Sequence, residues 1–252
     1  MKRPTDSATS IQREYYTKTA GRYDQMHANE GIEDESDLRL ILAVLQALKI
    51  DSVLDVGSAT GRGLTKFAAA LPGALVCGVE PVAALLQEGV SAGVTERVRL
   101  LQASGERLPF AGASFDAVCE FSILHHVPNP RVVVGEMLRV ARKAVVIADS
   151  NRFGQGSFPL RVLKLFLHKM GLWKAFNYIR TAGKGYQISE GDGLFYSYSV
   201  YDTYDLVAEW ADRIMLLPSS TWSSHSWFHP LLTSEGAILI AIRDPRKNPA
   251  HD

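Results

Sequence analysis

His125 and His126 adjoin in the stretch FSILHHVPNP, and Asp149 closes a later apolar run, KAVVIAD. Histidine is the side chain best suited to take a proton near neutral pH, and a carboxylate beside it can orient the ring. A second group of candidates lies earlier. In LDVGSATGRGL, Asp55 stands just before a run of small residues, Gly57, Ser58, Ala59, Gly61 and Gly63, where the backbone can approach a ligand closely. Glu80 and Pro81 end the next apolar run, CGVEP. A dinucleotide fingerprint counted from Gly57 needs small residues at 59 and 62, and position 62 is Arg62. A pyrophosphate cradle is therefore disfavoured. Asp55 would repel a phosphate there and favour a cationic group such as an amino acid's ammonium.

These residues need a scaffold that brings them to one edge, and the alternation of elements supplies it. Leu38, Ile41, Leu42, Leu45 and Leu48 recur at helical spacing, which predicts a helix over 34–48 leading into a first strand at 52–56. LTKFAAAL reads as helix, ALVCGVE as strand, PVAALLQEGV as helix, RVRLLQA and SFDAVCEFS as strands, 131–141 as helix and KAVVIAD as the fifth strand. RIMLLP and GAILIAI are the last two strands, joined by a loop too polar and aromatic to be helical. The expected fold is α/β: a mostly parallel sheet of seven strands with helices on both faces. His125, His126 and Asp149 then lie at the carboxyl edge, where open α/β sheets bind ligands.

The rhythm breaks at 150–200. RVLKLFLHKMGLWKAF is basic and amphipathic, and GKGYQISEGDGLFYSYSVYDTY is rich in Gly, Ser and Tyr. The expectation is an inserted cap, a helix packed on its own domain followed by a substrate-facing loop, with a membrane-surface helix as the alternative. Tyr196, Tyr198 and Tyr201 beside Asp192, and Trp222, His225, Trp227 and His229 further on, suit a sugar or an aromatic acceptor. No third ligand joins His225 and His229, so no metal site is expected.

The 252 residues suffice for one domain, 1–252, with that cap inside it. Twenty-seven Lys and Arg balance 27 Asp and Glu, so no net positive field exists to gather nucleic acid, and a small-molecule substrate fits better. Only two cysteines occur, each in an apolar run, so no disulfide framework is indicated and a reducing cytoplasm is expected. No integral membrane segment is expected. A homodimer is left open.

LDVGSATGRG resembles the first motif of class I S-adenosylmethionine-dependent methyltransferases, with Ala59 where many members carry glycine. The likeness continues in order. Glu80 resembles the acidic residue that accepts hydrogen bonds from both ribose hydroxyls. ASGERLPF followed by SFDAV resembles the adenine-side loop and fourth strand; Ser104 stands where members often carry aspartate, which passes the adenine contact to backbone around Gly105. The strand end at Glu120 and Phe121 and the FSILHHVPNP stretch after it resemble the segment that passes the methionine part of the cofactor. REYYTKTAGRYDQMH resembles an N-terminal helix folded over the cofactor, with Tyr16 and Tyr23 closing the site. His125, His126 and Asp149 resemble the base and acidic residue of natural-product sugar O-methyltransferases. The resemblance implies a Rossmann-like sheet whose last strand is antiparallel, and base-assisted methyl transfer from S-adenosyl-L-methionine to a hydroxyl of a sugar or other small molecule. Two other readings remain: a C- or N-methyltransferase acting on a quinone, lipid or amine, and a cofactor-binding partner protein without catalysis.

Overall fold

The computed structural model describes residues 4–27, 35–94, 98–219 and 230–244. Two helices open the chain, α1 (Pro4–Thr19) and the single turn α2 (Tyr23–Met26), followed by α3 (Glu35–Ala47). The sheet is then built from β1 (Ser52–Val56), β2 (Leu75–Glu80), β3 (Arg99–Gln102), β4 (Phe115–Phe121) and β5 (Ala141–Ser150). Helices α4 (Arg62–Ala70), α5 (Ala83–Ser91) and α6 (Pro130–Val140) cross between them. After β5 come α7 (Phe158–Lys169), α8 (Trp173–Arg180), the hairpin β6 (Tyr186–Ser189) and β7 (Gly193–Tyr196), α9 (Tyr204–Trp210), β8 (Arg213–Pro218), α10 (Pro230–Thr233) and β9 (Gly236–Ile242).

The large sheet has seven strands in the order β3-β2-β1-β4-β5-β9-β8. The first five pair in parallel, and β9 runs antiparallel to both β5 and β8. Strand order reverses between β1 and β4, which opens a crevice at their carboxyl ends. Alternation along β1 sends Val53 to one face and Leu54 and Val56 to the other. On one side Leu54, Val118, Ile147 and Leu239 pack under Val133 and Met137 of α6; on the other Val53, Val146 and Ile240 pack under Ile41 of α3 and Phe67 of α4. With both faces covered, β4 is buried from Phe115 to Glu120, as a central parallel strand should be. Among the described residues no helix is long and apolar enough to cross a membrane.

Two sequence expectations need correction. The segment expected as one helix and a loop holds two helices and a hairpin. Ile188 pairs with Leu194 and Tyr186 with Tyr196, the last two rings 6.0 Å apart, while Gly193 takes the left-handed backbone (φ 69°) that the tight connection needs. Short strands interrupted by glycines give too little alternation to read from sequence. The connection before the last strand, expected to be non-helical, contains the short helix α10. Arg152, only 4 % exposed, ties the insertion to the sheet edge: its guanidinium pairs with Asp202 and lies over the rings of Phe153 and Trp173, at 4.5 and 5.4 Å.

Candidate active site

A cavity of about 420 Å³ opens at the carboxyl ends of β1, β2 and β4 and is roofed by α1 and α2. At its floor the chain leaves β1 through Gly57 (φ 82°), and the N–H groups of Gly57 and Ser58 both donate to the Val79 carbonyl at 2.8 and 3.0 Å. A Cβ on Gly57 would come within 2.6 Å of Ile123 Cγ2, so only glycine fits. Ser58 Oγ is buried beside the cavity with no hydrogen-bond partner among the described residues. Glu80 ends β2 with its carboxylate accepting from the Ala59 N–H at 3.2 Å and the Val82 N–H at 2.9 Å. Burial pushes Glu80 up to about 7 despite those two donors, and burial together with the Glu80 charge pushes Asp55 up to about 7 as well. Two carboxylates poised near neutrality on one wall favour a ligand that brings positive charge or hydroxyl donors.

The roof is aromatic. Tyr16 and Tyr23 meet edge to face with ring centroids 5.7 Å apart, and Tyr23 stacks on His27 at 4.3 Å. Burial raises both phenols above their ordinary range, so they face the cavity uncharged. Thr60 donates to Asp24 at 2.8 Å and Arg62 to the Asp24 carbonyl at 2.9 Å, which ties α2 to the glycine turn.

At the other end lie the histidines, in a short 3-10 turn (Leu124–His126) directly after β4. His125 Nδ1 is 2.6 Å from Asp149 Oδ1, while Asp149 Oδ2 accepts from the Leu124 and His125 N–H groups at 2.8 and 3.3 Å. Asp149 thus fixes the ring from behind and leaves Nε2 facing the cavity. His126 Nδ1 lies 2.7 Å from the Leu194 carbonyl and its Nε2 3.2 Å from the Tyr16 hydroxyl. The hairpin turn inserts Asp192 between them, with Oδ2 3.4 Å from His125 Nε2 and Oδ1 3.1 Å from His126 Nε2. Gln12 holds that turn to α1, accepting from the Leu194 N–H and donating to the Asp192 carbonyl at 3.3 Å. Burial alone would depress His125, but the charge and hydrogen bond of Asp149, aided by Asp192, push it up to about 10. Burial would raise Asp192 and Asp149, yet the histidines hold both below the usual carboxylate range. His125 is therefore held between two carboxylates that favour its protonated form. One ligand atom from each of His125, His126 and Asp192 lies within 4.8 Å of the others, a grouping that could also hold a metal ion.

Of the residues singled out in the sequence, His125, His126, Tyr16, Asp55, Gly57, Ser58, Ala59, Glu80, Pro81, Ser104, Gly105 and Phe121 line the cavity, as does Tyr23. Three do not. Gly61 caps α4 in left-handed backbone (φ 76°), and a Cβ there would meet Leu100 at 2.9 Å rather than a ligand. Glu120 points away from Phe121 along the strand, wholly buried; its Oε2 accepts from the Ile123 N–H at 3.2 Å, and burial beside Asp149 keeps its pKa well above normal. Asp149 stands behind His125 and does not reach the cavity wall. The tyrosines expected to face an acceptor are elsewhere: Tyr198 and Tyr201 pack in the core and Tyr196 pairs within the hairpin. Trp222, His225, Trp227 and His229 lie outside the described residues. Sequence reasoning gave no role to Gln12 and noted Asp192 only in passing; the sole signal was the glycine-flanked EGDG turn.

Residues 54–148 match the methyltransferase domain family that includes the glycine turn, Glu80 and the histidine pair. Over that stretch the chain is similar to methyltransferase domains. An uncharacterized methyltransferase of Mycobacterium leprae is 32 % identical over 143 residues, 57 % of this chain and 52 % of that protein, so the match spans about half the relative's length. A demethylmenaquinone methyltransferase of a Roseiflexus species is 27 % identical over 146 residues, 58 % of this chain and 61 % of that one. Among solved structures, the 1,6-didemethyltoxoflavin-N1-methyltransferase of Burkholderia thailandensis, with 1,6-didemethyltoxoflavin and S-adenosylhomocysteine bound, superposes with a TM-score of 0.59 at 15 % identity, covering 96 % of this chain and 91 % of that one. At that identity the likeness is one of fold.

Proposed function

We propose that this chain transfers the methyl group of S-adenosylmethionine to a hydroxyl of a small polar molecule, with His125 as general base and Asp149 as the group that orients it. The observation that carries the reading is the His125–Asp149 pair at 2.6 Å, opening onto the same cavity as the glycine turn and Glu80. The cavity residues suit the cofactor. Glu80 offers a carboxylate for two hydroxyl donors, the orphaned Ser58 Oγ seeks a partner, and Asp55 matches an ammonium group. When bound, S-adenosylmethionine supplies a methyl already activated on a sulfonium.

The protein's task is then to align the acceptor and take its proton. In the form described, Asp192 caps His125 Nε2, and the imidazolium has no free lone pair. An acceptor hydroxyl that displaces Asp192 removes one of the two charges that raise the ring's pKa, and His125 loses its proton more readily. As the methyl moved from the sulfonium to the acceptor oxygen, leaving the thioether, Nε2 would take the hydroxyl proton and Asp149 would stabilise the imidazolium so formed. Gln12, Thr9 and Arg13 also line the cavity, a polar surface that suits a polyhydroxylated acceptor such as a sugar.

The test has two stages. Calorimetric titration with S-adenosylmethionine and S-adenosylhomocysteine should show saturable binding that weakens in Glu80→Ala; failure of both ligands to bind overturns the assignment. An acceptor screen that reads S-adenosylhomocysteine formation then compares wild type with His125→Asn. The expected result is a kcat lower by about 10²- to 10⁴-fold with cofactor affinity preserved. An unchanged kcat removes the base role.

A further inference from the structure

In α7 the polarity is inverted with respect to the protein it packs against. Two of its basic side chains turn inward: Lys164 donates to the Arg152 and Gln155 carbonyls at 2.9 and 3.0 Å, and Arg161 to those of Gly156 and Leu232 at 2.6 and 3.1 Å. His168 faces the same way, 3.2 Å from the buried Arg152. The apolar face turns outward. Phe158, Val162, Phe166 and Met170, one turn apart, are 59, 44, 58 and 59 % exposed, and Ile179 of α8 reaches 78 %. Among the described residues, ten of the 17 exposed large hydrophobic side chains fall between Phe158 and Ile179. A surface helix ordinarily shows water the opposite face. An apolar patch this concentrated marks a surface that something else covers.

Charge identifies the cover. From 150 to 189 the sequence has no Asp or Glu and seven Lys or Arg. Three of the seven, Arg152, Arg161 and Lys164, are engaged inward. Lys169, Lys174, Arg180 and Lys184 are exposed at the helix ends that frame the patch. A second copy of this chain meeting the face about a twofold axis would bring these cations against one another. An anionic headgroup layer over an apolar interior complements both features, with lysine stems lying along the apolar surface and their charges at the phosphates.

We propose that the outer face of α7 and α8 docks on the surface of a bilayer containing anionic phospholipid. The face lies in the interface and does not span it: α7 has 12 residues and α8 has eight, against about 20 for a crossing helix. The chain leaves α8 directly for the hairpin whose turn carries Asp192, so a docked face would stand next in sequence to the gate of the acceptor end. The inference concerns a surface outside the cavity and holds whatever the acceptor.

The experiment is flotation of the full chain with vesicles of phosphatidylcholine alone or mixed with phosphatidylserine, at low and high salt. The protein should float with the mixed vesicles and lose at least about tenfold in partitioning on raising the salt or in the double variant Lys169→Glu, Lys174→Glu. Phe166→Asp and Ile179→Asp should abolish flotation while the near-ultraviolet signal of the buried Trp173 stays unchanged, which separates loss of docking from loss of fold. Absence of flotation with either vesicle, or variants that float as well as wild type, overturns the proposal. So does a wild-type dimer by light scattering that Phe166→Asp splits, with no vesicle binding.

Discussion

Acidification from pH 8 to pH 6 should weaken S-adenosylmethionine binding through Glu80 and Asp55. Both carboxylates are pushed up to about 7 by burial. A ligand that brings hydroxyl donors to one and positive charge to the other favours their ionised forms, so protonation competes with binding. If binding requires the ionised group, the apparent Kd rises by the factor 1 + 10^(pKa − pH), which is about 1.1 at pH 8 and about 11 at pH 6 for a pKa of 7. One carboxylate therefore contributes about tenfold, or ~1.4 kcal/mol, and the pair at most about 100-fold. The Glu80 charge helps to raise Asp55, so the two protonations are not independent and the measured loss should lie between those limits. Calorimetry across this range on wild type and Glu80→Gln supplies the comparison, since titration of the ligand's own amine is common to both and cancels. Wild type should fall more steeply than the variant. At pH 7, binding heats measured in buffers of different ionisation enthalpy should also show net proton release. Affinity that is flat from pH 8 to 6, or identical profiles for wild type and Glu80→Gln, would refute the reasoning.

Removing the cap on the histidine, as Asp192→Asn, should lower the pKa of His125 from about 10, read from its ring proton resonances; an unmoved titration would mean that Asp149 alone sets it. For Asp149→Asn, loss of a buried pair should cost about 3–5 kcal/mol of stability. Because His125 is raised and Asp149 depressed in the folded state, the pair's stabilisation is complete between the unfolded values of about 4 and 6.5; it fades as pH rises towards 10 or falls below 4. Denaturant midpoints should therefore differ most between wild type and variant near pH 5–6, and a difference that grows above pH 8 would contradict the pairing. In Gly57→Ala, the left-handed backbone and the 2.6 Å approach to Ile123 should together destabilise the fold by about 2–4 kcal/mol and displace the turn from the ligand. Wild-type stability with wild-type cofactor affinity would show that the turn tolerates a side chain.

The sheet was largely legible because its strands are buried on both faces and so appear as apolar runs. RIMLLP and GAILIAI coincide with β8 and β9, and SVLDV with β1. The glycine turn was legible for a related reason: a φ of 82° beside Ile123 leaves one residue type, and sequence records residue types directly. The hairpin was not, because Tyr186–Ser189 and Gly193–Tyr196 are too short to establish a period of two. Glu120 shows the same limit at a single residue. Its place at the end of β4 was readable, but the side from which its carboxylate would be reached was not.

By itself the sequence determined the succession of strands and crossovers along the chain, the small-residue turn after β1, the acidic residue ending β2 and the histidines following β4, each a local pattern of a few residues. Tertiary structure decided which groups meet. His125 is held by Asp149 from β5 and capped by Asp192 from the hairpin, and the Asp192 turn is tied to α1 by Gln12. Those residues are far apart in the chain, and only the parallel register of β4 and β5 and the return of the hairpin over the cleft bring them within hydrogen-bond distance. The same holds for α7. Periodicity showed that the helix has a basic and an apolar face, but spacing is unchanged by rotation about the helix axis. That the basic face turns inward was decided by the carbonyls of Arg152, Gln155, Gly156 and Leu232 that wait beneath it.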